Sequence, residues 1–278
     1  MVYRLLALDI DGTLLGSNNR LDKETKEAVA YAKEKGVAVT LVSERHFHSA
    51  AKVAKALKID NPIITHNGAF ASDAIDEPIY TNKIDYEIVK QLVEFLETYP
   101  CQIRVSHERL AVSNKPKQKN LIAKMTVGLN ESPFYPVTYV DSLSEYLMDH
   151  RDDATELSLT LYNEDKEDIT MAINDYFPEI HVQAEDDYNL TLTQLGTSKY
   201  NALVYLAQHL GFSLSETVAV GNDYNDTEMI AKAGLGVAMQ NAPKEVKDAA
   251  EWVTRSNDMN GVGYMVKEVF RKQMRKQI

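Results

Sequence analysis

Four apolar residues, Leu5-Leu6-Ala7-Leu8, run straight into Asp9-Ile10-Asp11-Gly12-Thr13, and this junction constrains the 278-residue chain more than any other stretch. A short unbroken apolar run fits a strand buried on both faces. If the backbone stays extended beyond it, Asp9 and Asp11 point to one side and face one crevice. Open parallel sheets hold their ligands just past the carboxyl ends of the strands, where this pair stands. Gly12 lets the chain turn away, and Thr13 can hydrogen-bond the loop. Asp, Gly and Thr are also ordinary turn formers; their place at the end of a first apolar strand favours a site.

Asp22 reads as the N-cap of a helix over Thr25–Lys35 that ends at Gly36. Val37–Val42 reads as a second strand closed by Ser43-Glu44-Arg45, Phe47–Leu57 as a helix, and Ile63–Thr65 as a third strand before His66-Asn67-Gly68-Ala69. This alternation predicts a parallel sheet joined by right-handed crossovers. From about Ile84 the rhythm changes. A helix over Tyr86–Leu96 precedes paired strands, Gln102–His107 and Leu110–Ser113, across a turn at Glu108-Arg109. A basic stretch over Lys115–Lys124 and a proline-containing loop at Ser132–Pro136 follow. Then come a helix over Leu143–Met148, a half-exposed strand over Glu156–Tyr162, a helix over Lys166–Tyr176 and a strand over His181–Ala184.

The last third returns to alternation, with a strand at Leu190–Gln194, a helix over Lys199–Leu210 and an apolar strand, Thr217–Val220, feeding Gly221-Asn222-Asp223-Tyr224-Asn225-Asp226. A helix over Thr227–Ala233, a strand at Gly236–Met239 and a helix over Lys244–Ala250 complete it. The expected fold is therefore α/β: a doubly wound parallel-sheet core over residues 1–83 and 189–278, with an α+β domain inserted over 84–188.

A net charge of −11 opposes broad binding to nucleic-acid phosphates or anionic membranes. Cys101 is the only cysteine, which rules out an intrachain disulfide and a cysteine-based metal site and suits a buried thiol. No run of 18 apolar residues occurs, and the start lacks a charged region followed by a long apolar stretch and a cleavage site, so the expected residence is cytoplasmic.

Four polar clusters end strands or start helices of the predicted sheet: Asp9/Asp11, Ser43, Lys199 and Asn222–Asp226. If those strands are neighbours, the clusters converge. Carboxylates and oxygen donors suit Mg²⁺, a hard cation bound by one or two carboxylates plus water and phosphate. A hydroxyl at a helix start and a point-charge lysine suit a phosphate. Together they describe phosphoryl transfer. His46 and His48 do not form a metal pair, because residues two apart on a helix do not share a face.

In this order, Asp9-Ile10-Asp11-Gly12-Thr13, Ser43, Lys199 and Gly221-Asn222-Asp223-Tyr224-Asn225-Asp226 resemble the haloacid dehalogenase-like superfamily, specifically its Cof-type phosphatases. His66-Asn67-Gly68-Ala69, Gly196-Thr197-Ser198-Lys199 and Ala233–Ala242 support the resemblance, which covers nearly the whole chain and makes the inserted domain a cap. It implies a Mg²⁺-dependent phosphatase acting on a small phosphorylated metabolite. Asp9 would be the nucleophile that forms an aspartyl-phosphate, and Asp11 the acid and base. Ser43, the Glu44 backbone N–H, Lys199 and Asn225 would hold phosphate. Mg²⁺ would take Asp9, the Asp11 backbone carbonyl, Asn222 and Asp226.

Two residues depart from the family pattern. Asn222 stands where relatives usually carry a metal-binding aspartate, so Asp226, or Asp223, is expected to supply the carboxylate. Glu44 stands where relatives tend to have glycine; its carboxylate would repel a phosphate, so it is expected to point away. Asn222 also motivates a rival reading, a phosphate-ligand binding or regulatory protein with weakened turnover. A phosphomutase is a lesser alternative. Intact Asp9, Asp11 and Lys199 favour the phosphatase.

Overall fold

The computed structural model describes residues 2–116, 136–163, 166–184 and 186–271. The expectations placed on Lys117, Lys119, Lys124 and most of the loop Ser132–Pro136 lie outside the described residues. Lys115 is exposed and pairs with Asp141 at 2.7 Å, as suits a solvated surface.

The chain begins with β1 (Leu5–Leu8), a wide helical turn (Ile10–Leu14), α1 (Lys23–Glu34), β2 (Ala38–Leu41), α2 (Phe47–Leu57), β3 (Ile63–Thr65), β4 (Phe70–Ser72) and β5 (Tyr80–Thr81). Next come α3 (Tyr86–Leu96), β6 (Cys101–Ser106), β7 (Ala111–Asn114), β8 (Val137–Val140), α4 (Leu143–Asp149), β9 (Glu156–Leu161), α5 (Lys166–Tyr176), β10 (Ile180–Ala184) and β11 (Asn189–Gln194). It continues with α6 (Lys199–His209), β12 (Thr217–Gly221), α7 (Thr227–Lys232), β13 (Leu235–Ala238), α8 (Lys244–Ala249), β14 (Trp252–Val253) and α9 (Gly261–Phe270). Two compact units result, one from residues 2–45, 50–80 and 198–271, the other from 46–49 and 81–197. No described helix is long and apolar enough to cross a membrane.

The first unit is built on a parallel sheet of order β14-β13-β12-β1-β2. All four side chains of β1 are fully buried, as an apolar strand between two parallel neighbours requires. From β1 the chain steps outward to β2, and later from β12 outward to β13 and β14. The order therefore reverses between β1 and β12, which places a crevice beyond the carboxyl ends of those two strands. The predicted N-cap is present, with the Thr25 N–H donating to Asp22 Oδ1 at 2.5 Å.

The third predicted strand behaves differently. β3 pairs antiparallel with β4 in a small sheet of order β3-β4-β5, and only a Val42–Ile64 bridge ties it in parallel to the end of β2. The cause is local: His66, Asn67 and Gly68 all adopt positive φ and fold the chain straight back.

The second unit contains a sheet of order β10-β11-β9-β6-β7-β8, antiparallel throughout except for the parallel β7–β8 pair. β9 alternates half-buried with buried positions, the pattern of a sheet with one covered face. The buried stripe of α3, Val89, Leu92, Val93 and Leu96, recurs at helical spacing and packs into the same core as Ile103, Leu157 and Leu159. At roughly 1.5–3 kcal/mol per buried side chain, this stripe outweighs the helix's intrinsic propensity. β11 corrects the expectation that the core resumes at residue 189. It pairs antiparallel with β9 and β10, with Leu190 facing Leu159 and Ala184, and its Leu190 and Leu192 enter the second unit's core. Cys101 is buried in that core, as expected.

Candidate active site

The backbone ladder carries β1 one step beyond its last residue, with the Asp9 N–H donating to the Val220 carbonyl. Asp9 (φ −68°, ψ 161°) and Asp11 (φ −81°, ψ 123°) both keep extended backbone, and the chain turns away at Gly12, φ +73°. A Cβ on Gly12 would also press on the Asn222 amide, 2.6 Å from its nitrogen. Thr13 donates its hydroxyl to Asn222 Oδ1 at 2.7 Å, so the turns after β1 and β12 are stitched together.

At the centre is a buried triad. Lys199 Nζ donates to Asp9 Oδ1 at 2.9 Å and to Asp226 Oδ1 at 2.7 Å, with side-chain exposures of 2%, 4% and 0% for Lys199, Asp9 and Asp226. The three residues come from the end of β1, the start of α6 and the turn after β12. Two carboxylates thus share one ammonium away from water, which leaves the cluster one positive charge short. Burial, then repulsion from Asp226, pushes the Asp9 carboxyl up to about 8 against the pull of Lys199. Burial alone would discharge Lys199, but the two carboxylates hold its ammonium above the ordinary lysine range. Asp9 Oδ2 is buried and has no hydrogen-bond partner.

Asp226, the carboxylate expected at a metal, makes three hydrogen bonds. Its Oδ1 takes Lys199, and its Oδ2 accepts the N–H groups of Asn222 and Asp223 at 2.8 and 3.0 Å. It anchors the loop and the lysine. Gly221 is required beneath it, since a Cβ there would overlap the Asp226 carboxyl group. Asp223 is exposed and caps the following helical turn through the Tyr224 N–H.

Asp11 is gripped by a residue that the sequence pattern shows only as the end of a loop. Arg45 Nε and Nη2 donate to the two Asp11 oxygens at 2.5 and 2.6 Å, a forked ion pair with exposures of 26% and 39%. Burial opposes the Arg45 charge, yet Asp11, and further off Asp9 and Glu44, raise its pKa.

Ser43 is fully buried and its Oγ accepts the Arg45 N–H at 3.2 Å, closing the turn that presents Arg45. Glu44 is exposed, and its carboxylate leans toward the loop after β12, accepting from Asn225 Nδ2 at 3.4 Å. Asn225 Oδ1 is buried without a partner.

The strained turn at His66–Gly68 holds these pieces in place. The Asn67 N–H donates to the Ser43 carbonyl and the His66 N–H to the Arg45 carbonyl, while a Cβ on Gly68 would overlap the Ser198 carbonyl just before Lys199. Two non-glycine residues at positive φ cost of the order of 1–3 kcal/mol each, a strain tolerated where it aligns a site. A second brace lies behind the turn after β1. Asn241 Nδ2 donates to the Gly12 carbonyl and Asn257 Nδ2 to the Leu15 carbonyl, both at 2.9 Å, and the Ser17 N–H donates to Asp258 at 2.8 Å.

The described residues bring no trio of His, Cys, Asp or Glu side chains into a metal-binding arrangement. A hard cation would be served instead by mixed oxygens. The unpartnered Asp9 Oδ2 and the charge deficit of the triad are what a Mg²⁺ ion would relieve, so the donor set fits it.

The sequence from residue 6 to 266 matches the model of a family described as haloacid dehalogenase-like hydrolases. Stress response protein YhaX of Bacillus subtilis is 45% identical over 277 residues, covering 99% of this chain and 96% of its own. Phosphatase YwpJ of the same organism is 27% identical, with 96% and 99% covered. A solved haloacid dehalogenase-like hydrolase from Bacteroides thetaiotaomicron superposes with a TM-score of 0.81 at 25% identity, covering 96% of this chain and all of that one.

Proposed function

The chain belongs to the haloacid dehalogenase-like hydrolase family and is a phosphatase, and from that premise we propose that it hydrolyses a small phosphorylated metabolite through an aspartyl-phosphate on Asp9, with Mg²⁺ bound. The observation that carries this reading is the buried Asp9–Lys199–Asp226 triad with its unpartnered Asp9 oxygen. Asp9 attacks phosphorus and the bond to the leaving oxygen breaks. Asp11 gives that oxygen a proton, then takes one from the water that attacks the phosphoenzyme and restores Asp9. Lys199 steadies Asp9 and offsets the charge that gathers on the phosphoryl oxygens.

Asp9, the Asp11 carbonyl and Asn222 Oδ1 are the oxygens assigned to Mg²⁺. When bound, the ion neutralises phosphate charge and supplies the positive charge that the triad lacks. Mass spectrometry of protein quenched while turning over para-nitrophenyl phosphate should show one phosphoryl group on Asp9. Phosphate on another residue, or none under rapid quench, would sink the proposal.

Arg45 enters the same scheme. Both Asp11 oxygens are taken by Arg45, so Arg45 must release them before Asp11 can meet the leaving oxygen. A phosphate offers Arg45 an equivalent pair of oxygens. Arg45→Lys is expected to lower kcat about tenfold or more, because an ammonium cannot fork. An unchanged kcat would remove Arg45 from the reaction.

Asn222→Asp restores the charge that the family pattern usually carries. At an effective dielectric of about 20, a unit charge about 4 Å from the ion is worth up to roughly 4 kcal/mol, most of it offset by desolvation. The expected outcome is a several-fold tighter Mg²⁺ affinity by calorimetric titration. No tightening would place the ion away from Asn222.

A further inference from the structure

Apart from the catalytic cluster, one cleft of the first unit combines an aromatic wall with a cation that has no ion pair among the described residues. Its volume is about 390 Å³, and it is lined by Gln240, by Trp252, Val253, Thr254 and Arg255 at and after the edge strand β14, and by Tyr264 of α9. None of these residues belongs to the triad or to the Arg45–Asp11 pair.

Arg255 Cζ lies 4.1 Å from the centre of the Tyr264 ring, and Trp252 meets the same ring edge to face at 5.9 Å. The ring contact orders the guanidinium without consuming its five N–H donors. Among the described residues Arg255 has no ion-pair partner, although the chain carries eleven more acidic than basic groups. Lys267 stands one turn beyond Tyr264 on the same helix face, and the neighbouring Glu268 is engaged with Arg271 at 3.8 Å. The Gln240 side chain is exposed, and its amide has no partner among the described residues.

A cleft of this size falls in the range occupied by small ligands, and its chemistry sets their class. Flat aromatic faces suit a planar ring, the guanidinium suits an anion, and the amide can read one polar atom. We propose that this cleft is a second ligand site, separate from the catalytic cluster, that binds a planar ring bearing a carboxylate or phosphate.

Trp252 is the chain's single tryptophan, so its fluorescence reports on the cleft directly. The full chain is titrated with benzoate, phenylphosphonate, cyclohexanecarboxylate and benzamide, none of which a phosphatase can hydrolyse. A saturable change with benzoate or phenylphosphonate is expected, the tighter of the two identifying the anion. Cyclohexanecarboxylate, charge without a ring, and benzamide, ring without a charge, should bind at least about tenfold more weakly. Arg255→Gln should weaken the aryl anion about tenfold or more, with an unchanged circular dichroism spectrum, and Asp9→Asn should leave it unaltered. The proposal is overturned by the absence of a saturable response to either aryl anion, by equal binding of benzamide, or by indifference to Arg255→Gln. A response lost in Asp9→Asn would assign binding to the catalytic cluster and overturn it equally.

Discussion

Asp9→Asn is expected to cut hydrolysis by at least roughly 10⁴-fold while the protein stays folded. The amide keeps the volume and still accepts the Lys199 proton, but it is no nucleophile. Stability should respond in the opposite direction. The Asp9 carboxyl, ordinarily near 3.8, is pushed up to about 8 by burial and by Asp226. A group that binds its proton more tightly in the folded state contributes its full stabilisation below about pH 4 and loses it as the pH climbs toward 8. In metal-free protein the Asp9→Asn variant should therefore gain on wild type between pH 5 and pH 8, by a few degrees in Tm. Thermal melts at the two pH values, beside steady-state rates with para-nitrophenyl phosphate, check both parts. A folded variant that turns over at the wild-type rate would reject Asp9 as nucleophile, and a Tm gap that shrinks with pH would reject the charge deficit.

Lys199→Met should be the most destabilising single change in the first unit. It leaves two carboxylates buried beside one another without a cation, and breaking a buried pair by removing one partner costs about 3–5 kcal/mol. Adding Asp226→Asn should recover part of that loss, since the amide still accepts an N–H from the loop after β12 and removes one of the two like charges. Denaturant unfolding of the two single variants and the double variant measures the coupling. Simple additivity would mean that the three side chains do not act as one unit.

Much of this fold is legible without coordinates. Leu5–Leu8, Phe47–Leu57, Tyr86–Leu96 and Lys166–Tyr176 form the elements that their periodicity predicts, because an element's period depends on which face it buries and is written locally. The exceptions have identifiable causes. Ile63–Thr65 reads as one more parallel strand, but three successive positive-φ residues reverse the chain after it, and non-glycine residues do not announce that conformation. Leu190–Gln194 has the composition of a core strand, yet its partners are antiparallel strands of the other sheet. Strand propensity carries no information about the partner. Helix α9, which lies beyond the last expected element, buries Val262, Met265, Val266 and Phe270 at helical spacing.

The amino-acid order by itself determined the α/β class, the polar clusters at strand ends and the chemical kind of site they form, since each is a property of residues within a few positions of one another. Only the tertiary structure decided which charges meet. Asp226 faces Lys199 and caps the Asn222 turn, and Arg45 clamps Asp11 across 34 residues. Asn241 and Asn257 reach the turn after β1 from more than 200 residues away. Coulomb forces and hydrogen bonds act through a few ångströms of space and not along the chain, so the pairing of groups that titrate, bind and react is set by strand order and turn geometry.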